Sequence, residues 1–122
     1  MTSRTEPSVD DLLPLQAATF HILMALAEGD RHGYAIIQQI AANTNGALRL
    51  SAGTLYRSLQ RMLDQGLIEE TEDRPAPDED DERRRYYRIT RFGETVARAE
   101  ARRLQELVRL ARASGFVPRS AS

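Results

Sequence analysis

Apolar residues recur with helical spacing in four stretches of the chain, and short polar segments separate these stretches. Residues 20–27 (FHILMALA) are apolar on almost every side, which predicts a helix that is buried on every side. In so short a chain, such burial indicates contact with both the helix's own core and a second subunit. The four helices are predicted to begin near Pro14, His32, Ser51 and Thr90.

The third predicted helix has two chemically distinct faces. Its buried stripe consists of Leu55, Leu59, Met62 and Leu63. Thr54, Arg57 and Arg61 fall together on the opposite side of the same helix. Gly66 follows at the position where a left-handed helix cap is expected, so the helix is predicted to end there.

Strands are predicted at 67–72 (LIEETE) and 83–90 (RRRYYRIT), which a ten-residue loop joins, and a further short strand at 47–50 (ALRL). This order of elements predicts a mainly α fold with a small β-wing: a winged helix-turn-helix plus a C-terminal dimerisation helix. The predicted boundaries are a disordered tail at 1–10, a DNA-binding domain at 11–90, the dimerisation helix at 91–113 and a second disordered tail at 114–122.

The charges are unevenly distributed along the chain, although the net charge is close to zero. The 122 residues fit one domain, and their net charge is −1. All 17 basic residues are Arg, and residues 73–82 hold six acids and one Arg. The rest of the chain therefore has 16 Arg against 12 acids and a net charge of +4. A basic domain body favours a nucleic-acid partner.

Several classes of protein are disfavoured by what the sequence lacks. Without Cys there is no disulfide framework and no thiolate metal site. No run of 18 apolar residues and no signal-peptide pattern occurs, so a cytoplasmic location is expected. His21 and His32 do not match common zinc spacings, and we expect neither a metal nor a cofactor. A small hydrolase or metal protein that uses these two residues is the weaker alternative.

The predicted DNA contacts lie on the third helix and on the wing. In a helix-turn-helix, the N-terminal half of the second helix enters the major groove, and an Arg-rich wing contacts the backbone or the minor groove. The candidate residues are Ser51, Gly53, Thr54, Tyr56, Arg57, Arg61, Arg83, Arg84 and Arg85. Three alternatives stay open: a solvated helix face, core packing of Tyr56, and ion pairs between the wing Arg residues and the acids at 80–82. The five acids at 78–82 are expected to restrain non-specific DNA binding.

The last helix has a heptad seam at residues 97, 101, 104, 108 and 111, which predicts a homodimer. Packing of this seam against its own domain is the alternative. The candidate interface residues are Phe20, Leu23, Ala97, Ala101, Leu104, Leu107, Val108 and Ala111.

Three motifs in this order resemble the PadR family of bacterial transcriptional regulators. They are HGYAI at 32–36, SAGTLYRSLQRMLDQGLIEE at 51–70 and RRRYYRITRFGE at 83–94. With one helix after the wing, the chain is similar to the short subgroup. The resemblance implies a homodimer on a near-palindromic operator, usually as a repressor, with DNA contacts from Thr54, Tyr56 and Arg57. It leaves room for a small-molecule effector of unknown identity. A winged-helix protein-interaction module without DNA binding is the alternative function.

Overall fold

The structure, a computed structural model, describes residues 7–71 and 85–118. Within these ranges the chain forms five helices and three short strands. The helices are α1 (Val9–Leu12), α2 (Ala17–Leu26), α3 (Gly33–Asn43), α4 (Ala52–Asp64) and α5 (Arg91–Ala113). The strands are β1 (Arg31–His32), β2 (Ile68–Thr71) and β3 (Tyr86–Ile89). The predicted fold class, a mainly helical winged helix-turn-helix with a small sheet, is confirmed.

One core joins the helices to the sheet, and α2 lies at its centre against α3, α4, α5 and β3. Helix α2 is apolar on most sides because neighbours cover most of its surface. The other helices contribute one apolar stripe each. The buried cluster comprises Ile22, Leu23, Ala25, Leu26, Ile36, Ile40, Leu55, Leu59, Met62, Leu67, Ile68, Tyr87 and Val96.

The sheet is antiparallel with the strand order β1–β3–β2. Ile68 pairs with Ile89 and Thr71 with Tyr86, as expected for the two strands of a wing. The third strand differs from the prediction. Residues 47–50 form no strand, whereas β1 pairs His32 with Tyr86. A strand of two residues is too short to show the alternation of apolar and polar side chains from which strands are predicted. Strand β1 is therefore defined only by its pairing with β3.

Local signals at the ends of α4 and α5 are confirmed. The Ser51 hydroxyl accepts a hydrogen bond from the Thr54 backbone N–H at 3.1 Å, and the Thr90 hydroxyl accepts one from Gly93 at 2.9 Å. Gly66 has φ +79°, the left-handed conformation that glycine adopts without steric cost after a helix. These caps fix both ends of α4 and the start of α5.

The N-terminal segment differs from the prediction. Pro14 does not begin a helix, because α2 starts at Ala17. Val9 and Asp10, which were expected in a disordered tail, instead begin α1, where Ser8 and Asp11 make a reciprocal capping box. Residues 1–6 and 119–122 of the two predicted tails, and the whole predicted wing loop at 73–82, lie outside the described residues.

Candidate nucleic-acid interface

Helix α4 presents one buried and one outward face because its two sides differ in polarity. Leu55, Leu59 and Met62 are buried in the core and hold the helix in place. Ser51, Gly53 and Arg57 are exposed at or near its N-terminal end, and Thr54 is half-buried beside them. The N-terminal half of α4 therefore presents polar and cationic groups to the surroundings of the domain.

Arg57 is the cation of this face that has no competing partner. Within residues 7–71 and 85–118, its side chain makes no hydrogen bond or ion pair. Its Nη1 atom lies 3.3 Å from the position that a Cβ would take at Gly53. Gly53 therefore leaves room for the guanidinium across the first turn of α4, where its donors point away from the core.

Arg61 is on the same side of α4 but has a partner within the domain. Its Nη1 atom donates a hydrogen bond to Oε1 of Gln16 at 3.0 Å. Gln16 is the residue directly before α2, so this bond connects α4 to the start of α2. Arg61 must exchange this bond to contact DNA, whereas Arg57 needs no such exchange.

Arg85 at the edge of the wing pairs across the hairpin with a residue that the sequence analysis did not consider. Its Nη1 atom lies 3.0 Å from Oε2 of Glu70, and both side chains are largely exposed. An exposed pair of this kind contributes little and exchanges readily with solvent or phosphate. Arg83 and Arg84, and the acids at 78–82, lie outside the described residues.

Tyr56 lies where α3, α4 and the sheet meet. The side chain is 52% exposed, which excludes simple core packing. Its ring lies against Gly33 at the start of α3. Burial raises the pKa of Tyr87 on β3, and Glu70 and Tyr56 raise it further, whereas Arg85 lowers it. Tyr56 thus packs its hydroxyl end against the start of α3 while about half of the residue stays exposed.

Helix α5 and α2 form an apolar groove of about 520 Å³ on another side of the molecule. Its lining includes four of the predicted interface residues, Phe20, Ala101, Leu104 and Val108, together with Gln105, Arg109 and Arg112. Leu107, Val108 and Leu110 are each nearly half exposed. This part of α5 carries large apolar side chains that its own domain does not cover.

One of the predicted interface residues is covered completely by its own domain. Leu23 is 1% exposed within the core cluster, so its assignment to the interface is wrong. The apolar pattern of α2 could not distinguish its core side from its outer side. Ala97 is half-buried and packs against the same core. Ala111 is half-buried on the outer part of α5.

Glu100 is a buried charge that the sequence analysis missed. Arg103 donates two hydrogen bonds to it, at 2.8 and 2.7 Å, and the backbone N–H of Leu15 donates a third at 3.3 Å. These bonds outweigh burial and hold the pKa of Glu100 below its usual range, with the Arg103 side chain as the main cause. A signal was available, because residues 93, 96 and 100 continue one helical stripe. Glu100 ties α5 to the segment before α2.

Among the residues that the structure describes, neither His belongs to a cluster of possible metal ligands. The Nδ1 atom of His32 accepts a hydrogen bond from the Ala35 backbone N–H at 3.2 Å and caps α3, and His21 is half-buried on α2. Across the described part of the chain, no group of three or more His, Asp or Glu side chains could hold a metal ion. None of the helices described here combines the length and the apolar character needed to cross a bilayer.

Comparison with known proteins identifies the family. The model of the transcriptional regulator PadR-like family matches residues 22–99, which include α3, α4, the wing and the first part of α5. The chain belongs to this family. Members of the PadR-like family are transcriptional regulators and not enzymes, in agreement with the sequence analysis.

One relative supports this assignment, and a second similar protein is uncharacterised. The chain is 34% identical over 93 residues to the transcriptional regulator Rv3488 of Mycobacterium tuberculosis, a match that covers 76% of this chain and 80% of that protein. It is 38% identical over 72 residues to an uncharacterised protein X of Lysinibacillus sphaericus. That second match covers 59% of this chain and spans 63% of the relative's length.

Solved structures share the fold. A transcriptional regulator from Clostridium thermocellum superposes with a TM-score of 0.67 at 27% identity, over 82% of this chain and 89% of its own. Bacillus subtilis PadR, solved in complex with operator DNA, superposes with a TM-score of 0.58 over 69% of this chain and 46% of its own. At 18% identity, the latter likeness concerns the fold alone.

Proposed function

We propose that this PadR-like regulator is a homodimeric repressor that binds a near-palindromic operator through the N-terminal half of α4. In each subunit Thr54, Tyr56 and Arg57 contact the major groove and its flanking phosphates, with Ser51 and Gly53 at the helix start. Arg61 and the wing residues Arg83, Arg84 and Arg85 add backbone contacts. In a two-fold dimer the two α4 helices occupy successive major grooves about 34–36 Å apart.

The observation that supports this proposal most is that the Arg57 side chain is exposed and unpaired among the described residues. Its guanidinium is exposed at the N-terminal half of α4 and has no partner among the described residues, whereas Arg61, Arg85 and Arg103 are each paired. A planar guanidinium with free donors suits a guanine edge or a phosphate. The opposite face of α4 is buried, so the helix is held rigidly behind these groups.

The dimer in this proposal uses the groove between Phe20 and the outer part of α5. Its apolar lining and the exposed Leu107 and Leu110 supply a surface that a second copy of α5 would cover. An effector would act in the same groove and change the angle between the two subunits. Repression follows if the bound dimer blocks access to the promoter.

Selection of duplexes from a randomised DNA pool with the full chain would identify the operator. A two-fold consensus with half-sites about 10–10.5 base pairs apart is expected from the dimer geometry. The same selected duplex then serves for affinity measurements against a scrambled duplex at one fixed salt concentration. A reporter fused downstream of the operator separates repression from activation.

We expect Arg57→Ala to reduce operator affinity while the protein stays folded. The loss of one base-reading Arg costs about 1–3 kcal/mol of discrimination, which narrows the ratio of operator to scrambled affinity. Arg102→Ala removes an exposed Arg from α5 and serves as the charge-matched control. Unchanged operator affinity in a folded Arg57→Ala protein would remove this residue from the interface.

A protein-interaction module without DNA binding is the second candidate function. The exposed apolar side chains on α5 favour it, because a different protein could cover them. If the selection enriches no DNA sequence and Arg57→Ala has the same DNA affinity as the wild type, the protein-interaction module is the correct function.

A further inference from the structure

Gly33 occupies a position where neither backbone conformation nor helix formation requires glycine. It is the first residue of α3 and is buried. Its φ does not fall in the left-handed region, unlike that of Gly66. Glycine is among the poorest helix formers, so alanine would ordinarily serve better in a helix. Glycine at residue 33 therefore goes against helix propensity, which indicates that residues packed against this position require it.

The surroundings of Gly33 explain the missing side chain. A Cβ built on this residue would overlap the hydroxyl oxygen of Tyr56 and lie 3.0 Å from its Cζ. It would also lie 3.3 Å from Cδ2 of Leu55, which is fully buried and fixes the position of α4. The phenol of Tyr56 therefore rests directly on the α-carbon of Gly33, at a point where the two helices cannot separate.

We propose that Gly33 is a positioning residue for DNA binding, because its bare α-carbon holds the Tyr56 phenol across the start of α3 with the hydroxyl at the DNA-facing surface. This inference rests on the proposed function and extends it to a buried residue that does not touch DNA. The partner of the hydroxyl is a backbone phosphate, which accepts a hydrogen bond from a phenol. Tyr56 thereby fixes the register of α4 on the duplex.

A side chain at Gly33 would displace Tyr56 and leave the fold intact. Tyr56 is half exposed, so its ring can turn into solvent, whereas the fully buried Leu55 beside it need shift only slightly to accept the methyl group. Helical residues occupy two main χ1 wells, so the ring must move by a full rotamer jump. The hydroxyl then leaves its place at the surface. The effect of a methyl group at residue 33 should fall on operator affinity and not on stability.

The test compares Gly33→Ala, Tyr56→Ser and the double variant in operator titrations and thermal melts. Gly33→Ala should weaken operator binding about tenfold, the size expected for one lost hydrogen bond to a charged group, with a melting temperature close to the wild type. Tyr56→Ser should weaken binding by a similar factor. The double variant should bind like Tyr56→Ser, because the methyl group at residue 33 then displaces nothing.

A direct structural readout accompanies the titrations. In wild-type protein, NMR should show a nuclear Overhauser effect between the Gly33 α-protons and the ring protons of Tyr56. Gly33→Ala should abolish contact between residue 33 and that ring while the contacts of Leu55 persist. The Tyr56→Phe spectrum assigns the ring signals.

Three results would overturn the inference: Gly33→Ala with wild-type affinity, a double variant much weaker than Tyr56→Ser, or a Gly33→Ala protein that unfolds. The last would mean that the helices yield before the ring does. Arg57→Ala in the same titration distinguishes a failure of the proposed function from a failure of the role of Gly33. If wild-type protein does not prefer the operator, the proposed function fails. If wild type and Arg57→Ala behave as expected but Gly33→Ala does not, only the role of Gly33 fails.

Discussion

The two halves of α5 carry the same helical spacing of apolar residues but meet different surroundings. In the first half, Val96 is fully buried against the core and Glu100 is 2% exposed. In the second half, Leu107, Val108 and Leu110 are 48, 45 and 46% exposed. The helix of 23 residues spans about 35 Å at 1.5 Å per residue, and the rest of the domain leaves these large apolar side chains of its second half partly uncovered.

This difference shows what an amphipathic pattern does and does not specify. The pattern identifies the side of a helix that is removed from water, because apolar area must be buried somewhere. It does not identify the covering surface, which for the first half is the domain's own core. For the second half, we infer that a second subunit provides it.

The largest expected effect is the loss of the dimer in Leu104→Asp. Leu104 lines the groove beside Phe20, at the point where α5 leaves the domain. A carboxylate buried there without a partner costs several kcal/mol, and each 1.4 kcal/mol is about tenfold in affinity. The dimer dissociation constant should therefore rise by about a thousandfold or more, which sedimentation velocity at micromolar concentration measures. Operator affinity should fall together with dimerisation.

Arg102→Gln provides the control for this substitution. Arg102 is an exposed residue of the same helix, and its replacement lowers the net charge by the same amount as Leu104→Asp. It should remain dimeric. A Leu104→Asp protein that also stays dimeric at micromolar concentration would mean that the groove does not form the subunit interface.

A smaller effect is expected when the same substitution is made in each half of α5, as Val96→Ala and as Val108→Ala. Val96 is fully buried in the domain core, and its truncation should lower the free energy of unfolding by about 2 kcal/mol. In a monomeric Leu104→Asp background, Val108→Ala should change that free energy by less than about 0.5 kcal/mol. In the dimeric background it should weaken association instead. Chemical denaturation in both backgrounds measures the two quantities, and equal effects at both positions would contradict the division of α5.

The features that could be predicted from the sequence depend on neighbours in the chain. Ser51, Gly66 and Thr90 act through hydrogen bonds and backbone conformations within one turn, and the structure confirms all three. The buried apolar face of α4 could also be predicted from the sequence, since the two faces of this helix differ in polarity. From these local signals came the fold class, the recognition helix and the bounds of α5.

The features that the sequence did not reveal depend on distant residues. Strand β1 forms only because β3 pairs with it, and the burial of Leu23 depends on which neighbours surround α2. Arg61 binds Gln16, which lies 45 residues away in the chain. Gly33 meets Tyr56 only after α3 and α4 have packed. None of these contacts leaves a periodic pattern or a cap.

Two ion pairs with the same spacing offer the finest comparison between the halves of α5. Arg103 forms two hydrogen bonds with Glu100, and Arg109 forms two with Glu106, at nearly equal distances. In each pair the Arg side chain is the main cause that lowers the pKa of the Glu. The surroundings differ, because Glu100 is almost fully buried and also binds the Leu15 backbone, whereas Glu106 is largely exposed.

We expect Glu100→Gln to remove a pH dependence of stability that Glu106→Gln leaves in place. A carboxyl whose pKa is lowered on folding stabilises the protein above its unfolded pKa, and this contribution is lost as the pH falls through the folded pKa. For Glu100 the loss should begin near the ordinary Glu pKa of about 4.3 and continue below it. Solvent screens Glu106 and reduces its share. Urea denaturation of the wild type and both variants from neutral to acidic pH, in the monomeric Leu104→Asp background, measures this difference. Wild-type-like acid sensitivity in Glu100→Gln would mean that the Leu15–Glu100–Arg103 contact does not hold α5 to the domain.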